Sequence, residues 1–430
     1  MDISNIKSQG PLNTNTPSPF LTLPSLPIPL SDNQCMTYKH EILIFGGWKK
    51  NDCYSYHTLQ NKYKRICTYP NNVVLQGHSV VKIASSSNDI TLLSFGGQDV
   101  NERKHTLVMK YQSVWDENDE IGNKANLNQW LPFTNSSNEP IEIGRDGDDY
   151  CGVRAVVGGS NDHLLFISYR PKNIDVFDLN TCQYIQHVIL PTDNNYVCYH
   201  CFVLRPAYGM ATVQTNKKKT GMMLFCEKTG FAIEYDEDNN TFEFNKTRVW
   251  STIREFNCYA YVHIDDALLF FGGLDYRSNG SSKVIHKYLM NENRWTKFEQ
   301  ILPIPLKKGV AVLSGDNTYV HILGGKDGKF DTISTHLKTE VKEWMKEETE
   351  MEKKWITEEK QKIITEQNER DILEIGYVKK DADVVTEKSH LKEFKRCEEI
   401  EITINRWLRL LSIKVGWIDD FTIITSRFIM

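Results

Sequence analysis

Ile42-Leu-Ile-Phe-Gly46-Gly47 recurs as Thr91-Leu-Leu-Ser-Phe-Gly96-Gly97, as Leu268-Leu-Phe-Phe-Gly272-Gly273 and as Val320-His-Ile-Leu-Gly324-Gly325. Each copy is a short apolar run closed by a glycine pair. Gly46 and Gly96 are 50 residues apart, and Gly272 and Gly324 are 52 apart. Self-similarity at such a period is the mark of a repeat architecture. The interval from Gly97 to Gly272 has room for two further units. Leu164-Leu-Phe-Ile-Ser168-Tyr169 and Met222-Met-Leu-Phe-Cys226-Glu227 fill it without the glycines, which makes six units.

A second periodicity is independent of the first. After each run comes an aromatic residue, a polar turn, and another large residue seven positions on: Tyr56/Tyr63, Phe177/Tyr184, Tyr235/Phe242 and Tyr288/Trp295, with Leu337/Trp344 weaker. In the second unit Tyr111 is matched with Trp130, after an insertion rich in Asn, Asp and Glu. Turns such as Asp236-Glu-Asp-Asn-Asn and Asn291-Glu-Asn-Arg carry hairpin chemistry. Each unit therefore reads as four antiparallel strands with a glycine corner after the second. Gly158-Gly159 precedes its run and reads as a hairpin between the first two strands of unit three. A four-stranded sheet cannot cover both faces alone, but a ring of such sheets covers each with its neighbours.

A run ending in Gly-Gly, followed by Tyr and then Trp at this spacing, resembles the kelch repeat. That resemblance implies an all-β fold: a six-bladed kelch-type β-propeller over residues 20–340, with a C-terminal α-helical extension. Residues 1–19, rich in Ser, Asn and Pro, read as a disordered leader. Phe20-Leu-Thr-Leu23 is expected to supply the outer strand that closes the last blade, because the following Leu26-Pro-Ile-Pro-Leu30 recurs identically as Leu302-Pro-Ile-Pro-Leu306. Trp344, by the spacing of Leu337/Trp344, is the competing candidate.

Composition changes at Glu340, and residues 340–400 hold 18 acidic and 13 basic side chains. Helix formers without Pro or Gly predict one helix from Glu340 to Asp371. Val341, Trp344, Met351 and Trp355 fall on a heptad seam, a short coiled-coil signal interrupted by Glu348, Glu358 and Lys362. A break is expected over 376–386, and then a second helix to about Lys414 that docks on a partner, on a membrane surface or on the propeller. The charged tail over 341–430 is thus a candidate docking or self-association element.

The net charge is −5, from 51 basic and 56 acidic residues, which argues against nucleic acid as the partner. No apolar stretch is long enough for a membrane span. Without a signal peptide, the ten cysteines read as reduced thiols of a cytoplasmic protein. Cys198-Tyr-His200-Cys201 is the best local metal pattern, but zinc wants four ligands and the sequence offers no second close pair. Aligned by repeat, Cys35, Cys151, Cys201 and Cys258 fall at one inner-strand position, with His78 and Gly309 in the other units, which favours buried structural thiols. Asp236 to Asn240 imitates a calcium loop but lacks its glycine and its closing Glu. Hydrolase, zincin and phosphate-loop motifs are missing, so no catalytic residue, metal or cofactor is assigned.

What remains is recognition, which concentrates on loops held by a rigid scaffold. The candidate partner-binding residues follow the corners: Trp48, Lys49, Asp99, Arg103, Tyr169, Arg170, Tyr276, Arg277 and Asp327. The blade glycines Gly46, Gly47, Gly96, Gly97, Gly272, Gly273, Gly324 and Gly325 are assigned structural roles. The function expected is a non-catalytic protein-interaction module or scaffold. The kelch resemblance also implies an alternative, a substrate-recognition adaptor of a ubiquitin ligase. The chain shows no BTB or F-box domain, so the tail would have to recruit the ligase. A propeller enzyme ranks below both.

Overall fold

The computed structural model describes residues 18–86, 89–98, 103–116, 126–193, 195–205, 218–275 and 280–385, with side chains to residue 370. Their strands assemble into six antiparallel sheets, the blades of a β-propeller. Blade one is Gln34–Tyr38, Glu41–Gly47, Lys50–His57 and Lys62–Thr68; blade two is His78–Ser85, Asp89–Gly96, His105–Gln112 and Leu131–Pro132. Blade three is Asp149–Gly158, Leu164–Arg170, Asn173–Asp178 and Gln183–Ile189; blade four is Cys201–Leu204, Lys219–Cys226, Thr229–Asp236 and Thr241–Lys246. Blade five is Ala260–Ile264, Ala267–Phe271, Gly280–Leu289 and Arg294–Leu306, with Phe256–Asn257 and Leu274–Asp275 as a small added pair. Blade six is Val310–Leu313, Tyr319–Leu323 and His336–Glu340, and Leu21–Thr22 completes it from the other end of the chain.

The alternation of each second strand explains why a ring forms. Leu43 and Phe45 point toward blade two and pack with Leu92 and Met109. Ile42 and Ile44 point the other way, with Leu323 of blade six. Six apolar clusters result, one at each seam between adjacent blades. Each large side chain buried there contributes about 1.5–3 kcal/mol.

The aromatic pairs are cross-strand neighbours on third and outer strands. Tyr56/Tyr63, Phe177/Tyr184, Tyr235/Phe242 and Tyr288/Trp295 are in direct register, with ring centroids 4.8, 5.1, 4.9 and 4.9 Å apart. A further repeated device accompanies three of them. Asn61, Asn240 and Asn293 are left-handed (φ 57°, 51° and 47°). Each accepts a hydrogen bond from the tyrosine hydroxyl five positions earlier, at 2.7 Å for Tyr235 and 3.0 Å for Tyr288. Asn tolerates this conformation and fastens the turn to the pair. Trp130 is not the partner of Tyr111. Leu131 pairs with Val108, which slides the indole onto Tyr69, where it stacks at 4.7 Å.

The glycine corners dock the linkers. Gly272 is left-handed at φ 67°, and a Cβ there would lie 2.2 Å from the Leu306 carbonyl oxygen. Gly324 is equivalent, with the Leu30 carbonyl 2.4 Å from its absent Cβ. The two copies of Leu-Pro-Ile-Pro-Leu thus end on the two glycine corners, and Gly273 and Gly325 donate backbone bonds of 2.8 and 2.7 Å to those same carbonyls. Blade four needs no glycine pair because Cys226 and Thr229 close a two-residue turn, with Glu227 left-handed at φ 51°.

The tail departs from the single helix expected. Val341–Trp344 forms a short helix, α1, and a second helix, α2, spans Glu350–Val385. Trp344 leaves the heptad seam because it is drawn into the propeller, with ring contacts to Phe20, Phe271 and Phe298 at 5.5, 5.8 and 5.0 Å. A capping box restarts the helix: Glu352 N–H donates to Thr349 Oγ1 at 3.2 Å, and Thr349 N–H donates to Glu352 Oε2 at 3.1 Å. Glu352 and Glu359 also accept bonds from Glu299 N and Ser251 N, at 3.0 and 2.8 Å, which fasten the first turns of α2 to blade five and its preceding linker. The chain divides into two units, 1–359 and 360–430. In the second, helix continues through Gly376 to Val385, where a break was expected; one glycine costs a helix only about 1 kcal/mol relative to alanine. The leader to residue 17 and the second tail helix lie outside the described residues.

Two stability predictions follow from these contacts. Gly272→Ala should lower unfolding free energy by about 2–4 kcal/mol, because its methyl meets a backbone carbonyl. Gly147→Ala, also left-handed but with nothing within 4 Å of the added carbon, should cost only about 1 kcal/mol; equal losses in urea unfolding would refute the docking role. The second concerns six buried histidines. Burial holds His105 and His286 down to about 3 and His321 to about 4, and His78, His200 and His336 well below 6.5. They stay neutral in the fold while the unfolded chain takes up protons below pH 6.5, so their stabilisation is complete above 6.5 and lost as pH falls toward 4. Each contributes about 1.4 kcal/mol per pH unit in that window. The urea midpoint should be flat from pH 8 to 7 and fall steeply between 6.5 and 5; a midpoint unchanged down to pH 4.5 would contradict it.

Candidate functional site

Where the chain enters each inner strand it carries a left-handed residue, just before the strand in five blades and inside Asp149–Gly158 in blade three: Asp32 (φ 56°), Gly77 (70°), Gly152 (77°), Tyr199 (48°), Cys258 (52°) and Lys308 (56°). Four backbone bonds join neighbours around the axis: Asp32 N to Lys308 O at 2.9 Å, Gly152 N to Gly77 O at 3.0 Å, Tyr199 N to Gly152 O at 3.0 Å, and Lys308 N to Cys258 O at 2.7 Å. Glycine is the cheap residue at such a position, and each L side chain costs about 1–2 kcal/mol there. Four of the six positions nonetheless carry side chains, and these build the axial mouth.

The side chains interlock across the mouth. Lys308 Nζ is 3.2 Å from the Asp32 carboxylate and 4.3 Å from the Tyr199 ring centroid. The Tyr199 hydroxyl is 3.3 Å from Cys151 Sγ, which also accepts a 3.7 Å bond from Gln76 Nε2. Arg154 lies 5.8 Å from the Tyr199 ring. Burial is the largest influence on Asp32 and pushes its carboxyl up, against the pull of Lys308. Burial also opposes the charge on Lys308, but Asp32 outweighs it and leaves that ammonium above the ordinary lysine value. Burial pushes the Cys198, Cys201 and Cys258 thiols up and the Tyr199 phenol with them, so these four groups are protonated at neutral pH.

The cysteines do not share one position. By strand register the equivalent residues are Gln34, Ser79, Cys201, Ala260 and Val310, opposite Phe45, Phe95, Phe225, Phe271 and Leu323. Cys35 lies one residue beyond this level and Cys258 two before it, because residue type repeats less faithfully than backbone position. His200 and Cys201 are buried, and among the described residues no three His, Cys, Asp or Glu side chains converge as metal ligands.

The corners and linkers share one face with the mouth. Trp48 is half-buried on it, between Lys326 Nζ at 4.2 Å and Lys49 Nζ at 4.7 Å from its centroid. Arg170 pairs with Asp149 at 3.1 Å, its side chain 40% exposed. Asp327 is committed to its own turn, accepting from the backbone of Lys329 and Asp331 at 2.8 and 3.0 Å. Arg103 lines a cleft of about 770 Å³ with Lys104, His105, Trp130, Glu142 and Asp146. Tyr169 is a correction: it is fully buried and not on the face. Its ring packs 4.7 Å from Tyr150, and its hydroxyl donates at 3.1 Å to buried Asp175, which Arg145 and His187 also hold, at 2.7 and 2.6 Å. Asp99, Tyr276 and Arg277 lie outside the described residues. The opposite face carries hairpins such as 58–61, with Leu59 72% exposed.

No protein-family model matches the chain, and no curated protein matches it. Among solved structures, one titled "Structure of YjhT" is similar at 15% identity and a TM-score of 0.49, covering 73% of this chain and 95% of its own.

The axial ion pair generates a further prediction. Asp32→Ala leaves the Lys308 ammonium without its carboxylate in a largely buried site and should destabilise the fold by about 3 kcal/mol. Asp32→Ala with Lys308→Met should recover most of that loss in urea unfolding. A double variant no better than the single one would show that the pair is not the source.

Proposed function

We propose that this chain is a non-catalytic protein-interaction module, a kelch-type propeller that presents its corner-and-linker face to a protein partner. The observation that carries the reading is the contrast between the mouth and its rim. At the mouth the ionisable side chains are committed to one another, Asp32 to Lys308 and Tyr199 to Cys151, and burial pushes the Cys201 and Cys258 thiols up, which disfavours those two as nucleophiles. On the rim, Lys49 is exposed, Trp48 is half-buried, and the Arg170–Asp149 pair is solvated on both sides, at 40% and 36% exposure, so a partner can exchange it at little cost. Trp and Arg are the residue types that dominate binding energy at interfaces. The repeated glycine corners and aromatic pairs favour the kelch assignment.

The test uses the full-length chain with affinity capture from native lysate, read by mass spectrometry. Trp48→Ala combined with Arg170→Ala should reduce recovery of the main captured protein about tenfold or more. Leu59→Ser on the opposite face should leave it unchanged. Loss with Leu59→Ser alone would move the site to the other face. Turnover by the pure protein in a hydrolase and oxidase screen would overturn the non-catalytic reading, and recovery of ubiquitin-ligase subunits would favour the adaptor role.

A further inference from the structure

Lys307 and Lys326 face each other across an antiparallel bridge, with Lys307 N donating to Lys326 O at 3.0 Å and Lys326 N to Lys307 O at 2.7 Å. Directly opposed residues place their Cβ atoms about 4.5–5.5 Å apart, where like charges are destabilising. Lys307 is only 2% exposed, and its ammonium has no hydrogen-bond partner among the described residues. Both ammonium groups rest on aromatic faces: Lys307 Nζ is 3.1 Å from the Phe330 centroid and Lys326 Nζ is 4.2 Å from that of Trp48. Lys49 covers the same indole, and Lys308 follows directly in sequence. An aromatic face returns about 0.5–2 kcal/mol, less than an ammonium loses on leaving water without a partner. Burial lowers the Lys307 pKa, and repulsion from Lys326 and Lys308 lowers it further.

The acidic loop that follows, with Asp327 and Asp331, supplies no hydrogen bond to the Lys307 ammonium; Asp327 Oδ1 accepts instead from the backbone of Lys329 and Asp331. Phe330 itself is costly. It is a bulky residue at φ 69°, with its side chain only about half covered at 46% exposure. A strained, exposed ring over a buried unpaired cation is a feature that folding alone does not favour.

We propose that Lys307 and Lys326 form an anion cradle that receives a carboxylate or phosphate group of a partner peptide, with Trp48 and Phe330 as its aromatic walls. The cations gather at one corner of the face and do not track a groove, which fits a short acidic or phosphorylated segment better than a nucleic-acid backbone. The proposal rests on the protein-binding reading of this face and names the chemistry of the partner.

The test follows the thermal midpoint of the full chain at fixed ionic strength with three probes: an octaglutamate peptide, a phosphoserine-containing peptide, and inorganic phosphate. A cradle predicts a concentration-dependent rise in the midpoint. Lys307→Met should raise the midpoint without any probe, since it removes an unpaired buried charge, and should abolish the rise. Lys326→Gln, at a more open position, should weaken probe affinity about tenfold or more. A shift with both peptides but not with phosphate supports a peptide ligand; an equal shift with phosphate supports the cradle and assigns it a free anion. No shift with any probe, or a shift that survives both substitutions, overturns the cradle. If capture from lysate still depends on Trp48 and Arg170 in that event, the face remains the binding surface and only its acidic ligand is refuted.

Discussion

Every blade of this ring has two apolar faces, so the fold depends on closing the last seam. Closure is made by only two residues of strand, Leu21 and Thr22, opposite Lys338 and Leu337. Two strand residues add little hydrogen-bond energy, and side chains supply the rest. Phe20 packs on Trp344 at 5.5 Å, Tyr63 of blade one donates to Pro24 O at 3.1 Å, and its hydroxyl is 2.6 Å from His336 Nδ1. His336 in turn bonds His321 at 2.8 Å. The seam between first and last blade is therefore locked by a buried polar chain as well as by apolar contact, and α1 acts as a plug behind the closing strand.

Closure also fixes the mouth. Once six linkers converge on one axis, each must turn sharply into its inner strand, and the left-handed residue is that turn. Two blades meet the demand with glycine. The other four use Asp32, Tyr199, Cys258 and Lys308, and three of these bind one another or neighbouring blades through their side chains. The mouth is thus cross-braced, and the proposed function assigns recognition to the rim around it. Rigid corners with exposed aromatic and cationic side chains lose little freedom on binding, which favours affinity.

The ring and its blade count were legible because glycine corners and aromatic pairs repeat at fixed phase. Tyr56…Asn61, Tyr235…Asn240 and Tyr288…Asn293 stand in the sequence as a Tyr-to-Asn spacing of five that accompanies the aromatic pairs. The mouth was not legible. Its residues come from separate linkers, share no residue type, and meet only after the ring closes. Alignment by cysteine misled for the same reason, since the backbone position repeats and the side chain does not. The heptad on Val341 and Trp344 misled because an indole that fits a helix seam fits the space beside Phe20 and Phe298 better.

The account's central claim is that the corner-and-linker face is the binding surface. Hydroxyl-radical footprinting of the full chain, free and bound to its captured partner, tests it most directly. The account predicts protection of Trp48, Phe330 and Tyr199, with Leu59 and the exposed Ile185 of the outer strand unchanged. Protection confined to Leu59 and its neighbours, or to Met351 and Trp355 on α2, would contradict it.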